Sequence, residues 1–196
     1  AMAVTVETLP AHRIAEAIDA LARLRIAVFA EWPYLYEGDA EYERAYLAEF
    51  AAAPDAALII ARDGDEIVGA ATASPLASQK PEFKAPFVAA GWDVARTFYF
   101  GESVLLPGYR GQGIGHAFFD HRETASRAAG ARVATFCAVQ RPADHRLRPA
   151  GYRPLDAFWA KRGYAKVDGL VTSFDWLDIG EAQETPHPMQ FWSREL

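Results

Sequence analysis

The residues Arg110-Gly111-Gln112-Gly113-Ile114-Gly115 join a β-branched, aromatic run to a helical pattern, and that junction is the stretch best suited to hold an anion. Glycines let backbone N–H groups approach phosphate oxygens, and the first turn of a helix adds positive potential. A pyrophosphate suits such a turn. The string is not Gly-x-x-x-x-Gly-Lys-Ser/Thr, because neither the lysine nor the hydroxyl that phosphate and magnesium require follows it. It also lacks the opening strand and acidic ribose partner of a dinucleotide-binding unit. By itself, a glycine turn serves structure as often as it serves a ligand.

Other groups with chemical potential are few. Cys137 is the only cysteine, which excludes an intramolecular disulfide and fits a reducing compartment, with the cytoplasm as the expected location. A lone cysteine in a strand is more often a small buried hydrophobe than an acyl carrier. His12, His116, His121 and His187 lack metal-site spacing, so no metal is predicted. Arg141, Arg146, Arg148 and Arg153 share a proline-rich stretch, where their guanidinium forks match acidic oxygens and where simple solvation is the commoner reason for them.

The elements that must position these groups follow from hydrophobic period. Val4 to Thr8 alternates as a strand, and His12 to Phe29 repeats at helical spacing. The aromatic stretch 31–39 forms a loop before a second helix over about 40–53. Asp63-Gly64 turns a hairpin between strands at 58–62 and 67–74. After a Pro- and Lys-containing connection, Thr97 to Leu106 reads as one long strand, followed by the glycine turn and a helix from Ile114 to Ala129 that Gly130 ends. Val133 to Val139 is a strand, 141–154 a long loop, and Leu155 to Arg162 a short helix capped by Gly163. Strands at 164–167 and 171–176 precede an irregular tail over 177–196.

The 196 residues fit a single domain over 1–196, and 51% hydrophobic with 23% charged residues is a globular composition. No stretch approaches the roughly 20 apolar residues of a membrane span, and a net charge of −6 argues against nucleic-acid partners. Ala1-Met2-Ala3 lacks signal-peptide features, and with a residue ahead of Met2 residues 1–3 are expected to be a leader or cloning remnant.

The string Val104-Leu105-Leu106-Pro107-Gly108-Tyr109-Arg110-Gly111-Gln112-Gly113-Ile114-Gly115 resembles the coenzyme A signature of the GNAT (Gcn5-related N-acetyltransferase) family, and Phe158-Trp159-Ala160-Lys161-Arg162-Gly163-Tyr164 resembles its second marker. With the element order, the resemblance covers residues 4 to 176. It implies an α/β fold with a mixed, mostly antiparallel central sheet flanked by helices, and acetyl-CoA as cosubstrate. Main-chain groups of Val104, Leu105 and Leu106 would pair with pantetheine, and Arg110 with the amides of Gly111, Gln112, Gly113, Ile114, Gly115 and His116 would hold the pyrophosphate. The strand carrying Glu102 would splay from the strand carrying Cys137 and Val139, so that thioester and amine meet in the gap.

An ammonium is not a nucleophile, so a base must take its proton, and Glu102 resembles the family's general base in position. An edge-strand glutamate is the alternative. The family's tyrosine in the aromatic pair is Trp159 here, and an indole cannot protonate a thiolate. Tyr152, Tyr164 or water would replace it, with Tyr164 more suited to the core, or no acid is needed. Trp32, Tyr34, Tyr36 and His145 are the acceptor-side candidates, with packing or a solvated loop as the competing explanation. The expected activity is acetyl transfer to a primary amine of a small molecule or peptide. The alternatives are a non-catalytic acyl-CoA-binding or sensing module and a protein lysine or N-terminal acetyltransferase. A homodimer is common among such proteins, but no self-complementary patch identifies one here.

Overall fold

In β2 (Ala57–Asp63) successive side chains enter opposite cores, Leu58 and Ile60 on one side and Ala57, Ile59 and Ala61 on the other. A strand covered on both faces has no polar side to show, which is why this segment is apolar instead of alternating. The computed structural model describes residues 3–196. Of the expected remnant over residues 1–3, Ala1 and Met2 lie outside the described residues.

β1 (Val4–Pro10) pairs antiparallel with β2, and β2 pairs with β3 (Glu66–Pro75) across the predicted Asp-Gly turn. A 3₁₀ stretch (Ala11–Ala17) leads into α1 (Ile18–Phe29), so the first turns of the predicted helix are wound more tightly than α. α2 (Ala40–Ala52) starts at Asp39, whose carboxylate accepts from the Glu41 amide at 3.0 Å. β4 (Thr97–Tyr99), β5 (Ser103–Leu105), α4 (Ile114–Ala128), β6 (Val133–Val139), α5 (Asp156–Lys161), β7 (Ala165–Trp176) and β8 (Thr185–Glu195) follow, with α3 (Pro81–Ala89) before β4. The sheet runs β1-β2-β3-β4-β6-β8-β7, with β5 beside β3. Among the described residues only β4 and β6 are parallel. This is the mixed, mostly antiparallel α/β architecture expected from the sequence. α1 and α2 cover one face over β2, β3 and β5, α3 continues that layer over β6 and β8, and α4 with α5 covers the other face. No helix is long and apolar enough to cross a membrane among the described residues.

Four expectations are corrected. The tail over 177–196 is not irregular: β8 lies between β6 and β7 and buries Met189, Phe191 and Trp192. Pro186 and Pro188, which donate no hydrogen bond, disguise it; they sit at its start, before the pairing with β6 begins at Met189↔Val139. The connection before Thr97 contains α3, where Pro81 occupies a favourable first-turn position and Pro86 masks the pattern. The strands at 164–167 and 171–176 are one strand, β7, with a register shift between Lys166 and Val171. Finally, Thr97 to Leu106 is interrupted at 100–102, and that interruption shapes the site.

Candidate active site

β4 and β6 pair from Thr97↔Val133 to Tyr99↔Thr135, and the Phe100 amide donates to the Thr135 carbonyl at 2.8 Å. Beyond that point, among the described residues, β5 pairs only with β3, while Phe136–Val139 of β6 pairs only with β8. The sheet therefore opens between β5 and β6. The cause is a bulge: the register with β3 slips by one residue between Ser74↔Tyr99 and Ala71↔Ser103. Gly101 permits it, because a Cβ there would lie 2.7 Å from Thr72 Oγ1. The Glu102 amide donates to that same hydroxyl at 3.0 Å, and its carbonyl accepts from the Thr72 amide at 2.9 Å. The Leu106 amide likewise donates to Val68 at 3.0 Å. By ladder alternation, Glu102, Val104 and Leu106 thus turn their main-chain groups to β3, and Ser103 and Leu105 turn theirs to the gap.

At the end of this gap the chain makes a short 3₁₀ turn (Pro107–Tyr109) and enters the glycine string. Gly113 has a φ of 84° and caps α4, and nothing lies within 4 Å of a Cβ built on it. The first helical bond runs from the Ala117 amide to the Gly113 carbonyl at 3.1 Å, so the amides of Ile114, Gly115 and His116 belong to the free first turn. An open cradle of amides at a helix N-terminus fits a pyrophosphate. Arg110 turns away from it. Its guanidinium donates to the Leu105 carbonyl at 2.9 and 3.1 Å and pairs with Glu31 at 3.2 Å, so it braces the turn against β5 and the α1–α2 loop. The His116 ring lies 4.7 Å from that of Phe158 on α5.

Glu102 lies at the bulge on the α1–α2 face and is 6% exposed. Its carboxylate pairs with Arg25 of α1 at 2.9 Å, and Arg25 pairs at the same time with Glu43 of α2. Tyr36 donates its hydroxyl to Glu43 at 2.8 Å. Burial pushes the Glu102 carboxyl up; Arg25 opposes this, Glu43 adds to it, and the net result is above the ordinary value. On the opposite face, burial lowers Arg122 to about 10; it lies over the rings of Phe100 and Phe119 and reaches the Glu102 carbonyl at 3.5 Å. Arg25 and Glu43 went unassigned in the sequence. The available signal was a charged residue at an inward position of each helix, beside Leu21 and Leu24 in α1 and beside Leu47 in α2.

The acceptor-side candidates separate into groups. Trp32 meets His145 at 5.0 Å and Tyr152 edge-on at 6.2 Å, joining the loops 31–39 and 141–154. Tyr152 also lies under the Arg148 guanidinium at 5.7 Å. Tyr34 packs instead against Phe29 at 4.7 Å and Trp176 at 5.9 Å, and Tyr36 is committed to Glu43. Arg141 ties both loops down: it donates to the carbonyls of Pro33 and Tyr34 at 2.7 Å each and pairs with Asp178 at 2.9 Å. It therefore does not act as a free cation. Cys137 is buried beside the Tyr99 hydroxyl at 3.5 Å, and burial pushes its thiol up to about 12, so it is a neutral thiol. Trp159 packs on Phe136 at 4.9 Å and on Trp192 at 5.2 Å, and the Tyr164 hydroxyl donates to Glu123 at 2.7 Å. Both belong to the core under α5.

Comparison with known proteins bears on this geometry. The model of the acetyltransferase (GNAT) family matches residues 23–152, more than half of the chain. No curated protein matches by sequence. Among solved structures, the ribosomal-protein-alanine N-acetyltransferase from Brucella melitensis is 13% identical, with 98% of this chain and 99% of that one covered at a TM-score of 0.62. The yncA protein of Salmonella typhimurium, solved with its cofactor acetyl-CoA, is 11% identical, with 99% and 94% covered at 0.57. The IAA acetyltransferase from Bacillus cereus ATCC 14579 is 12% identical, with 99% and 100% covered at 0.55. At these identities the likeness is one of fold. The family match, the split between β5 and β6 and the amide cradle at α4 agree: this chain belongs to the GNAT acetyltransferase family.

Proposed function

We propose that this protein transfers the acetyl group of acetyl-CoA to a primary amine of a small molecule or peptide, by direct attack within a ternary complex. The observation that carries this reading is the position of Glu102, a buried carboxylate at the bulge where the sheet divides, on the same stretch of chain that leads through β5 into the amide cradle of α4. In this reading the amides of Gly111 to His116 hold the pyrophosphate and the gap-facing amide of Leu105, whose carbonyl is taken by Arg110, meets the pantetheine arm. Glu102, or a water it orders, accepts the ammonium proton, and the amine then attacks the thioester carbonyl. The coenzyme A thiolate leaves without a dedicated acid, or takes a proton from Tyr152. A cytoplasmic location fits the single buried thiol.

Calorimetric titration with acetyl-CoA, followed by an amine panel read by free-thiol release, tests the proposal. Binding with turnover is expected, and no binding would sink it. One observation favours a second reading, a non-catalytic acyl-CoA sensor: the Glu102 carboxylate already has Arg25 as a partner at 2.9 Å. That reading predicts binding without turnover across the whole panel, including an alanine-initiated peptide and a lysine peptide. The peptides also test the N-terminal and lysine acetyltransferase readings.

A further inference from the structure

Arg25 sits between two buried carboxylates on different layers of the fold. Its Nη1 meets Glu102 Oε2 at 2.9 Å on the strand bulge, its Nε pairs with Glu43 on α2, and its Nη2 reaches Glu43 Oε1 at 3.5 Å. The three side chains are 13%, 4% and 0% exposed in the order Arg25, Glu102, Glu43. The guanidinium lies over the rings of Phe29 at 5.2 Å and Tyr46 at 4.9 Å, which fixes its plane. A tie between α1 and α2 is complete with Arg25 and Glu43 alone. The third member sits at the bulge where β5 departs from β6, and the trio holds one positive charge against two negative ones where solvent screens little.

We infer that Arg25 and Glu43 are opposed positioning residues for Glu102: Arg25 holds its carboxylate ionised and aimed, and Glu43, by competing for the same guanidinium, keeps it basic enough to accept a proton. The inference rests on the reading of Glu102 as the proton acceptor. The groups that face Glu102 are Arg25 from α1, Glu43 and Tyr46 from α2, Thr72 from β3, Tyr99 from β4 and Arg122 from α4. Of the charged ones, Arg122 reaches the Glu102 main chain and not its carboxylate. Arg25 is therefore the ion pair whose strength Glu43 can modulate.

The opposed signs separate this role from a structural one. The full chain labelled with ¹³C-carboxyl glutamate is titrated by NMR, the Glu102 signal being identified by its loss in Glu102→Gln. Arg25→Met is expected to raise the Glu102 midpoint by about one pH unit or more, and Glu43→Gln to lower it. Arg25→Lys, which keeps the charge, is expected to stay near the parent. With whichever amine the panel identifies, the acidic limb of kcat/KM should move in the same directions, while KM for acetyl-CoA stays within about twofold. Midpoints that stay put, or that move together, in folded Arg25→Met and Glu43→Gln would overturn the inference. Should Arg25→Met fail to fold, Glu43→Gln decides alone, since a midpoint that stays or rises contradicts it. Full activity in Glu102→Gln would remove the base reading itself, even with the opposed midpoints intact.

Discussion

At Glu102 two effects pull in opposite directions: removal from water favours the neutral acid and the Arg25 guanidinium favours the carboxylate, with burial the larger. A base works only when ionised, so raising its pKa moves the acidic limb of the rate profile to higher pH than the ordinary glutamate value of about 4.3. Glu102→Gln should lower kcat by roughly 10²–10⁴ and flatten that limb, with acetyl-CoA affinity unchanged; a pH series of thiol-release rates checks both. At the cradle, a side chain on Gly113 must adopt a φ of 84°, which costs an L-residue about 1–2 kcal/mol. In Gly113→Asp a carboxylate also faces the pyrophosphate, so acetyl-CoA affinity should fall about tenfold or more, or at least ~1.4 kcal/mol by calorimetry. Unchanged affinity would place the phosphates elsewhere. Glycine spacing and the acidic residue upstream of it were legible because both lie within one short stretch of chain. Arg25 and Glu43 were not, because what makes them matter is a strand bulge about sixty to eighty residues away. The sequence also could not show that Arg110 braces the turn instead of lining it, since either use calls for the same residue.

Among the elements, those with a clean period were readable: β1, the β2–β3 hairpin, α2, α4 and β6 fall within a residue or two of expectation. Two whose opening residues include proline were not. α3 starts at one proline and contains another, and β8 opens with Pro186 and Pro188 before its inward residues. A strand's worth is set by what it packs against, which a local pattern cannot reveal. β8 pairs along its length with β6 and β7 and places Phe191 against Phe83 at 5.7 Å and Phe87 at 4.7 Å. Phe191→Ala should cost about 3–5 kcal/mol, from lost transfer energy and the cavity left behind. Urea denaturation followed by tryptophan fluorescence reads the loss; a change under about 1 kcal/mol would mean the site collapses around the gap.

Over the whole molecule, the loops that carry the acceptor-side candidates are tied, with a third loop, at one point. Arg141 from 141–154 donates to the carbonyls of Pro33 and Tyr34 and to Asp178, and His187 reaches Asp178 at 3.0 Å while stacking on Trp176 at 3.7 Å. Burial pushes the Asp178 carboxyl up, but Arg141 and His187 together outweigh it and hold the group below its ordinary value. The stability this contributes is present above the unfolded value of about 3.9 and is lost as pH falls through the lower folded one. Asp178→Asn should therefore reduce the melting temperature at neutral pH and flatten its decline in acid, which a calorimetric pH series measures; parallel curves for parent and variant would contradict it. The family and the split sheet were foreseeable from motifs and element order. The tie was not, because Arg141 is distant in sequence from Pro33, Tyr34 and Asp178, and each of its charged members looks like a solvated residue.

The position of β8 also sets a timetable for synthesis. β1, β2 and β3 are joined by local pairings and can assemble on α1 and α2 while later residues are still being made. Among the described residues β7 pairs with no strand but β8, and β6 meets only β4 over Val133–Thr135 until β8 arrives. On a ribosome the second half of the sheet must wait for residues 185–195, holding apolar edges such as Phe136 and Cys137 unpaired in the meantime. A ribosome stalled before residue 185 would present a nascent chain with an assembled glycine-turn half and an open β6 edge, a form exposed to chaperones and to aggregation.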